Sequence, residues 1–185
     1  MTQSYEEMDA IAMLKADHRK VEEIFEAFEK ATSKDKKQKL AEEACLELKV
    51  HTAIEEEIFY PACRGQIGDD LLDEAFVEHD NAKTLINEIE AGGADEDFYD
   101  AKVKVLSELI EHHVEEEEKR SEGLFSKARS AGLDMDKLAD DMRARKRTAM
   151  EEFQAGKPAE TLTMAGDDTA RAKADTPRDG ATAHG

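Results

Sequence analysis

Apolar side chains recur at helical spacing along most of the chain. Between Tyr5 and Ala31 they follow steps of three and four residues, through Ile11, Leu14 and Val21. This spacing predicts a helix with one buried face. Similar stripes end at glycine-containing turns or, near the C-terminus, begin at Asp134, which can cap a helix. The further helices are predicted at about 35–64, 69–90, 95–120 and 134–153.

The connections between the first four helices are short, so consecutive helices are expected to pack as antiparallel neighbours. The predicted fold is therefore all-α, an antiparallel up-down four-helix bundle with an appended C-terminal helix. Beyond residue 154 the chain has no aromatic residue and no apolar periodicity, which is typical of a disordered tail. The predicted organisation is a bundle over 1–132, a helix over 133–154 and a disordered tail over 155–185.

Polar residues interrupt the apolar stripe near the middle of each of the four helices. The first and third predicted helices each place one histidine there. The second and fourth each place a histidine and, four residues later, a glutamate on the same face. The interrupting residues are His18, His51, Glu55, His79, His113 and Glu117.

Six ionisable side chains buried together are costly unless they are paired or coordinate a cation. Imidazole nitrogen and carboxylate oxygen suit iron or manganese, with zinc as a further choice. The set also repeats: His18 and His79 are 61 residues apart, and the two His-x-x-x-Glu pairs are 62 apart. Distances from the turns place most of these residues at similar heights. His79 and His113 fit less well, which a fourth helix starting nearer Phe98 would correct. Two equivalent half-sites favour a centre with two metal ions.

Some neighbouring residues leave alternatives open. His112 and Glu116 form a rival His-x-x-x-Glu register, but their apolar stripe is shorter and breaks the repeat. The neighbouring glutamates are expected to be solvated, with the alternative that Glu56 or Glu118 accepts a hydrogen bond from a ligating imidazole. They are Glu56, Glu57, Glu115, Glu116 and Glu118. His184 lies in the predicted tail. The basic run 143–147 is interpreted as the polar face of a docking helix, with an acidic partner as the alternative.

Composition narrows the function classes. The formal net charge of −19 repels phosphate backbones, so no nucleic-acid partner is expected. No apolar run approaches the length of a membrane span, and no signal peptide is visible, which predicts a cytoplasmic protein. Cys45 and Cys63 lie about 27 Å apart on one predicted helix, too far to form a disulfide.

Four segments of the chain resemble the hemerythrin family, in its bacterial HHE cation-binding branch. The resemblance covers about residues 8 to 130. It implies that the four histidines and two glutamates hold two iron ions, with Glu55 and Glu117 as bridging carboxylates and an oxo or hydroxo bridge between the ions. The matching segments are KADH at 15–18, HTAIEEEIFYP at 51–61, VEHD at 77–80 and HHVEEEE at 112–118.

Two regions of the chain depart from the family pattern. Lys83 stands where oxygen-carrying hemerythrins have a fifth histidine, so the resemblance implies one extra open coordination position. Lys83 could donate to a bound oxygen species or point away. The segment 119–123 is a small insertion, and Ser126 stands where the family commonly has proline.

The resemblance implies a di-iron protein that binds oxygen, nitric oxide or peroxide for sensing, storage or stress protection. The alternative is a di-iron enzyme that oxidises ferrous iron or decomposes peroxide. Manganese and zinc remain alternatives to iron, and no protein partner can be named.

Overall fold

The computed structural model describes residues 5–162. Within that range every regular element is helical, and the predicted fold class is confirmed. A 3-10 turn over Tyr5–Glu7 precedes the first long helix. The longer elements are α1 Ala10–Lys30, α2 Lys34–Ile54, a π-helical segment Glu55–Phe59, α3 Tyr60–Cys63, α4 Asp69–Ala91, α5 Tyr99–Glu118, α6 Leu124–Ser130 and α7 Met135–Gln154.

Four helices form a closed ring, in which α1 packs on α2, α2 on α4, α4 on α5 and α5 on α1. Two of these four helices start at side-chain caps that the sequence supplies. The carboxylate of Asp9 accepts a hydrogen bond from the Ala12 N–H at 2.8 Å, and the Ser33 hydroxyl accepts one from the Lys36 N–H at 3.3 Å. These caps satisfy amide groups that the helix itself leaves unpaired. The first helix therefore starts at Ala10 and not at Tyr5.

The fourth long helix starts later than predicted. It begins at Tyr99 instead of Asp95, because the chain turns through Phe98, whose φ of 68° is incompatible with a continuous helix. This shift brings α4 and α5 into register at the heights of His79 and His113, which removes the one mismatch left by the sequence analysis.

The sequence predicts an uninterrupted second helix up to residue 64, but the structure departs from this. Ordinary α-helical bonding gives way at Glu55 to one π-helical turn, closed by the Tyr60 N–H donating to the Glu55 carbonyl. An i to i+5 bond puts residues 55 and 60 on the same face, whereas α-helical spacing would rotate them apart. Tyr60 is therefore turned toward the inside of the bundle.

The insertion at 119–123 ends α5 at Glu118, two residues before the predicted end. The chain then folds back tightly, and a Cβ atom on Gly123 would lie 2.6 Å from the carbonyl oxygens of Glu117 and Lys119. Only glycine fits this approach. The short helix α6, which the sequence analysis did not predict, starts directly afterwards.

The appended helix α7 is capped by Asp134, as predicted, and packs against α1 and α2. Most of the predicted disordered tail lies outside the described residues. Its described part, 155–162, packs against α4, where Asn87 exchanges two hydrogen bonds with the backbone of Ala159 at 2.9 and 3.1 Å. The Leu162 N–H also donates to the Asp80 carboxylate at 2.6 Å.

The apolar core of the bundle has two main parts, one at each end. One contains Leu14, Phe59 and Leu72, and the other contains Phe25, Ile86 and Leu106. The interrupting polar residues lie between them. Cys45 and Cys63 are both buried as free thiols. Among the described residues, no helix is both long enough and apolar enough to cross a membrane.

Candidate metal centre

All six interrupting residues converge in the middle of the bundle. The helices α1, α2, α4 and α5 supply the four histidines, the π-helical segment supplies one glutamate and the last turn of α5 supplies the other. Each of the six is at most 4% exposed to solvent. They are His18, His51, Glu55, His79, His113 and Glu117.

The histidines form two pairs that face each other through their Nε2 atoms. The Nε2 atoms of His18 and His51 lie 3.1 Å apart, and those of His79 and His113 also lie 3.1 Å apart. These distances leave no room for two N–H groups between the rings, so each pair presents at least one lone pair inward.

Each glutamate touches one histidine from each pair. Glu55 Oε2 lies 3.1 Å from His51 Nε2 and 3.3 Å from His79 Nε2. Glu117 Oε2 lies 3.4 Å from His18 Nε2 and 3.6 Å from His113 Nε2. Both carboxylates therefore lie between the two pairs, where each would be shared by two bound ions.

Two tight groups of donor atoms result. One contains His18, His51 and both glutamates, and the other contains Glu55, His79 and His113, with all donor atoms of a group within 4.8 Å of one another. Two buried carboxylate oxygens of the cluster, Glu55 Oε1 and Glu117 Oε2, have no hydrogen-bond partner among the described residues. Buried carboxylate oxygens of this kind need a cation or a donor. The donor set fits a pair of metal ions.

A second layer of carboxylates lies against the outer ring nitrogens. Glu118 lies 2.9 Å from His18 Nδ1, Glu56 lies 3.0 Å from His79 Nδ1 and Glu78 lies 2.7 Å from His113 Nδ1. Such partners fix the tautomer of a metal-ligating imidazole and increase its basicity.

The fourth outer carboxylate is looser. Asp17 Oδ2 lies 3.6 Å from His51 Nδ1, which is an ion-pair distance and too long for a hydrogen bond. For Glu56 and Glu118 the expected solvation is wrong and the alternative, a contact with an imidazole, is what the structure has. Asp17 and Glu78 were not predicted. Asp17 directly precedes His18, and Glu78 directly precedes His79, so the two carboxylates are also 61 residues apart. This shared spacing is the pattern in the sequence that could have identified them.

Lys83, at the place of the fifth histidine, does not point into the cluster. Its Nζ lies 2.6 Å from both carboxylate oxygens of Glu56, which in turn contacts His79. Lys83 therefore holds an outer carboxylate in place. The rival register is also resolved, because the His112 side chain is 59% exposed and the His113 side chain 4% exposed.

Tyr60 is an additional polar residue of the cluster. Its hydroxyl donates to Glu117 Oε1 at 2.9 Å and lies 3.3 Å from both Glu55 Oε2 and His79 Nε2. Its ring also stacks on His79 with centroids 5.5 Å apart. Phe125, after the insertion, stacks in the same way on His18 at 5.8 Å, so one half of the centre has a hydroxyl that the other half lacks.

The charge state of the metal-free cluster follows from these contacts. Burial alone would lower the pKa of His51, but the carboxylates of Glu55 and Asp17 outweigh it and raise the pKa to about 10. Burial likewise opposes protonation of His79, yet Glu55 and Glu56 raise its pKa to about 9. Burial favours the neutral form of Glu55, but the two imidazoles hold its pKa well below the ordinary value. Without a metal, protons on the imidazoles balance the buried carboxylates.

Comparison with known proteins agrees with this geometry. The family profile described as "Hemerythrin HHE cation binding domain" matches residues 9–125. The chain belongs to the hemerythrin HHE cation-binding domain family. All six residues of the cluster lie within the matched segment.

Two relatives of this HHE protein are informative. A hemerythrin HHE cation binding domain-containing protein from Mycobacterium kansasii has a similar fold, with a TM-score of 0.66 and 19% identity over 80% of this chain and 91% of that one. A DNA nickase from Nostoc sp. is 26% identical over 113 residues, which are 61% of this chain. This chain spans only 32% of the nickase, so the similarity concerns one part of that protein.

Replacing Tyr60 with phenylalanine is expected to destabilise the metal-free protein by about 1–3 kcal/mol, because Glu117 Oε1 loses its donor inside the bundle. Urea unfolding measures the change. The control is Tyr99→Phe, since the buried Tyr99 hydroxyl has no hydrogen-bond partner among the described residues. Tyr99→Phe is expected to be neutral or slightly stabilising, and equal losses in the two variants would contradict the role given to the Tyr60 hydroxyl.

Proposed function

We propose that the cluster binds two iron ions and that the resulting centre binds a small ligand, oxygen, nitric oxide or peroxide, for sensing, storage or stress protection. The observation that carries this proposal is the position of the two glutamates, each of which touches one histidine from both pairs. Iron accepts a mixed nitrogen and carboxylate donor set, with manganese and zinc as the alternatives.

The protein groups around the centre have distinct roles in this proposal. The four histidines and two bridging glutamates would hold the ions, and the ions would supply the redox and ligand-binding chemistry. The outer carboxylates orient the imidazoles. Tyr60 holds Glu117 and places one O–H group beside Glu55 and His79. Because Lys83 is bound to Glu56, it does not replace the fifth histidine as a ligand, which supports an additional open position for a small ligand.

A di-iron enzyme that oxidises ferrous iron or decomposes peroxide is the second candidate. The observation that favours it is the Tyr60 hydroxyl, since a proton donor already lies 3.3 Å from two of the side chains that would hold the ions. A carrier has less need of a proton donor at this place than an enzyme does.

No nucleic-acid partner is proposed, although one relative is a DNA nickase. The net charge of −19 opposes the approach of a phosphate backbone.

Adding oxygen, nitric oxide, peroxide or ferrous iron to the iron-loaded protein distinguishes the sensor or store from the enzyme. Stoichiometric, reversible binding of oxygen or nitric oxide without turnover is expected for a sensor or store. Sustained oxygen release from peroxide, or repeated oxidation of added ferrous iron, would instead support the enzyme. The double variant His51→Ala, Glu55→Ala is the control, because any activity that it retains does not come from this centre.

A further inference from the structure

The two halves of the centre differ in the residues that surround them. Between α4, α5 and the start of α6 lies a crevice with a cavity of about 20 Å³. Its deep end is formed by His113 and Glu117, and its outer part by Glu74, Glu78 and Glu116. A cavity of this size accommodates one particle about the size of a water molecule. It connects an acidic surface to two residues of the cluster.

The internal repeat identifies the residues that occupy the equivalent positions in the half of the centre that contains His18 and His51. The positions of Glu74 and Glu116 correspond to Met13 and Ile54, 61 and 62 residues earlier. Both counterparts are completely buried. They belong to the same apolar cluster as Met135, Ala139 and Met142 of α7. The appended helix therefore covers the equivalent crevice, and the residues beneath it are apolar.

The charges of the two crevices differ as well. On the covered side, Lys146 of α7 lies 2.5 Å from Asp17 and compensates its charge. On the open side, Glu78, the counterpart of Asp17, contacts the imidazoles of His113 at 2.7 Å and His112 at 3.4 Å but has no lysine or arginine partner among the described residues. Glu74 also has no ion pair among them, and Glu116 has only Lys119 at 3.8 Å. Of these three carboxylates, only Glu74 lacks any ion pair within the described part of the chain, and a narrow crevice that keeps an excess of carboxylates concentrates cations.

A buried carboxylate oxygen that receives no hydrogen bond from the described residues marks the inner end of this crevice. Glu117 is 2% exposed, and its Oε2 atom has no hydrogen-bond partner among the described residues. Carboxylates of increasing burial thus lead from the exposed Glu74, through the 18% exposed side chain of Glu78, to Glu117. Oxygen donors of this kind suit a hard divalent cation.

We propose that the α4–α5 crevice is the route by which divalent metal ions reach the centre, with Glu74 and Glu116 as the first capture point. Since α7 covers the equivalent crevice, this route serves both halves of the centre. The proposal rests on the proposed function, because it assumes that the cluster binds metal.

The rate of metal loading tests this route. Metal-free full-length protein is mixed with Co²⁺, whose visible absorption reports coordination without redox chemistry. The variant Glu74→Gln, Glu116→Gln is expected to bind Co²⁺ about fivefold more slowly at low salt. The charges of a whole cleft change ion on-rates by about 10-fold to 1,000-fold, and this variant removes only part of that charge. Its final stoichiometry should remain two ions per chain. Glu116→Lys should be slower still.

The control is Glu111→Gln, Glu115→Gln, which removes the same charge from exposed positions of α5 outside the crevice. It is expected to load at the rate of the unaltered protein. Equal loading rates in the unaltered protein and the two double variants would contradict the route but not the metal centre. Equal slowing in both double variants would do the same. Failure of the unaltered protein to bind Co²⁺ would overturn the route and the metal centre together.

Discussion

Replacing His51 and Glu55 with alanine is expected to remove most of the metal that the unaltered protein binds. His51 is half of one facing histidine pair, and Glu55 is one of two carboxylates that touch both pairs. The double variant therefore loses a nitrogen donor on one side and a bridge between the sides. Because a ligand at 1,000 times its Kd stabilises a protein by about 4 kcal/mol, the stabilisation by metal should disappear with the binding.

Elemental analysis and thermal unfolding with and without metal measure both effects. The matched control is His112→Ala, because His112 is adjacent to His113 on α5 but has a side chain that is 59% exposed. His112→Ala is expected to retain full metal content. Full iron in the double variant, or metal loss in the control, would show that the ligands have been assigned to the wrong residues.

The metal-free protein is expected to lose stability as the pH rises from about 7 to 10, by a few kcal/mol on the scale of 1.4 kcal/mol per pKa unit. The pKa values of His51 and His79 are raised in the folded chain, to about 10 and about 9. The stabilisation from a raised histidine pKa is complete below the unfolded value of about 6.5 and is lost as the pH passes the folded value. Urea unfolding of the metal-free protein from pH 6 to 10 measures it.

The lowered pKa of Glu55 acts in the opposite direction, because its stabilisation is present above the unfolded pKa and is lost in acid. The metal-free protein should therefore be most stable near pH 5 to 6. Loading with metal must displace the protons on His51 and His79, so about two protons should be released per chain at pH 7. A stability that stays constant from pH 7 to 9, with no proton release on loading, would contradict this charge assignment.

The helices and the polar cluster could be predicted because both depend on spacing. A helix with one buried face reveals any polar residue on that face, as at His79, and the repeat selects His113 over His112. The family resemblance added the expected roles of these residues. All six side chains lie together in the structure, although their role as ligands remains a prediction.

Other features depend on backbone geometry that no periodicity encodes. Tyr60 reaches the cluster only because a π-helical turn follows Glu55, and α-helical spacing places it on another face. The late start of α5 depends on the left-handed conformation of Phe98. The asymmetry of the two halves depends on tertiary packing, since Met13 and Ile54 are ordinary core residues until α7 is seen to cover them.

The most direct test of the central claim is the metal content of protein purified without chelator, measured by elemental analysis and paired with an optical spectrum in air. Two irons per chain, with the near-ultraviolet charge-transfer bands of a bridged ferric pair, are expected. Protein with no metal, or with zinc alone that iron cannot replace, would contradict the di-iron centre while leaving the helical bundle intact.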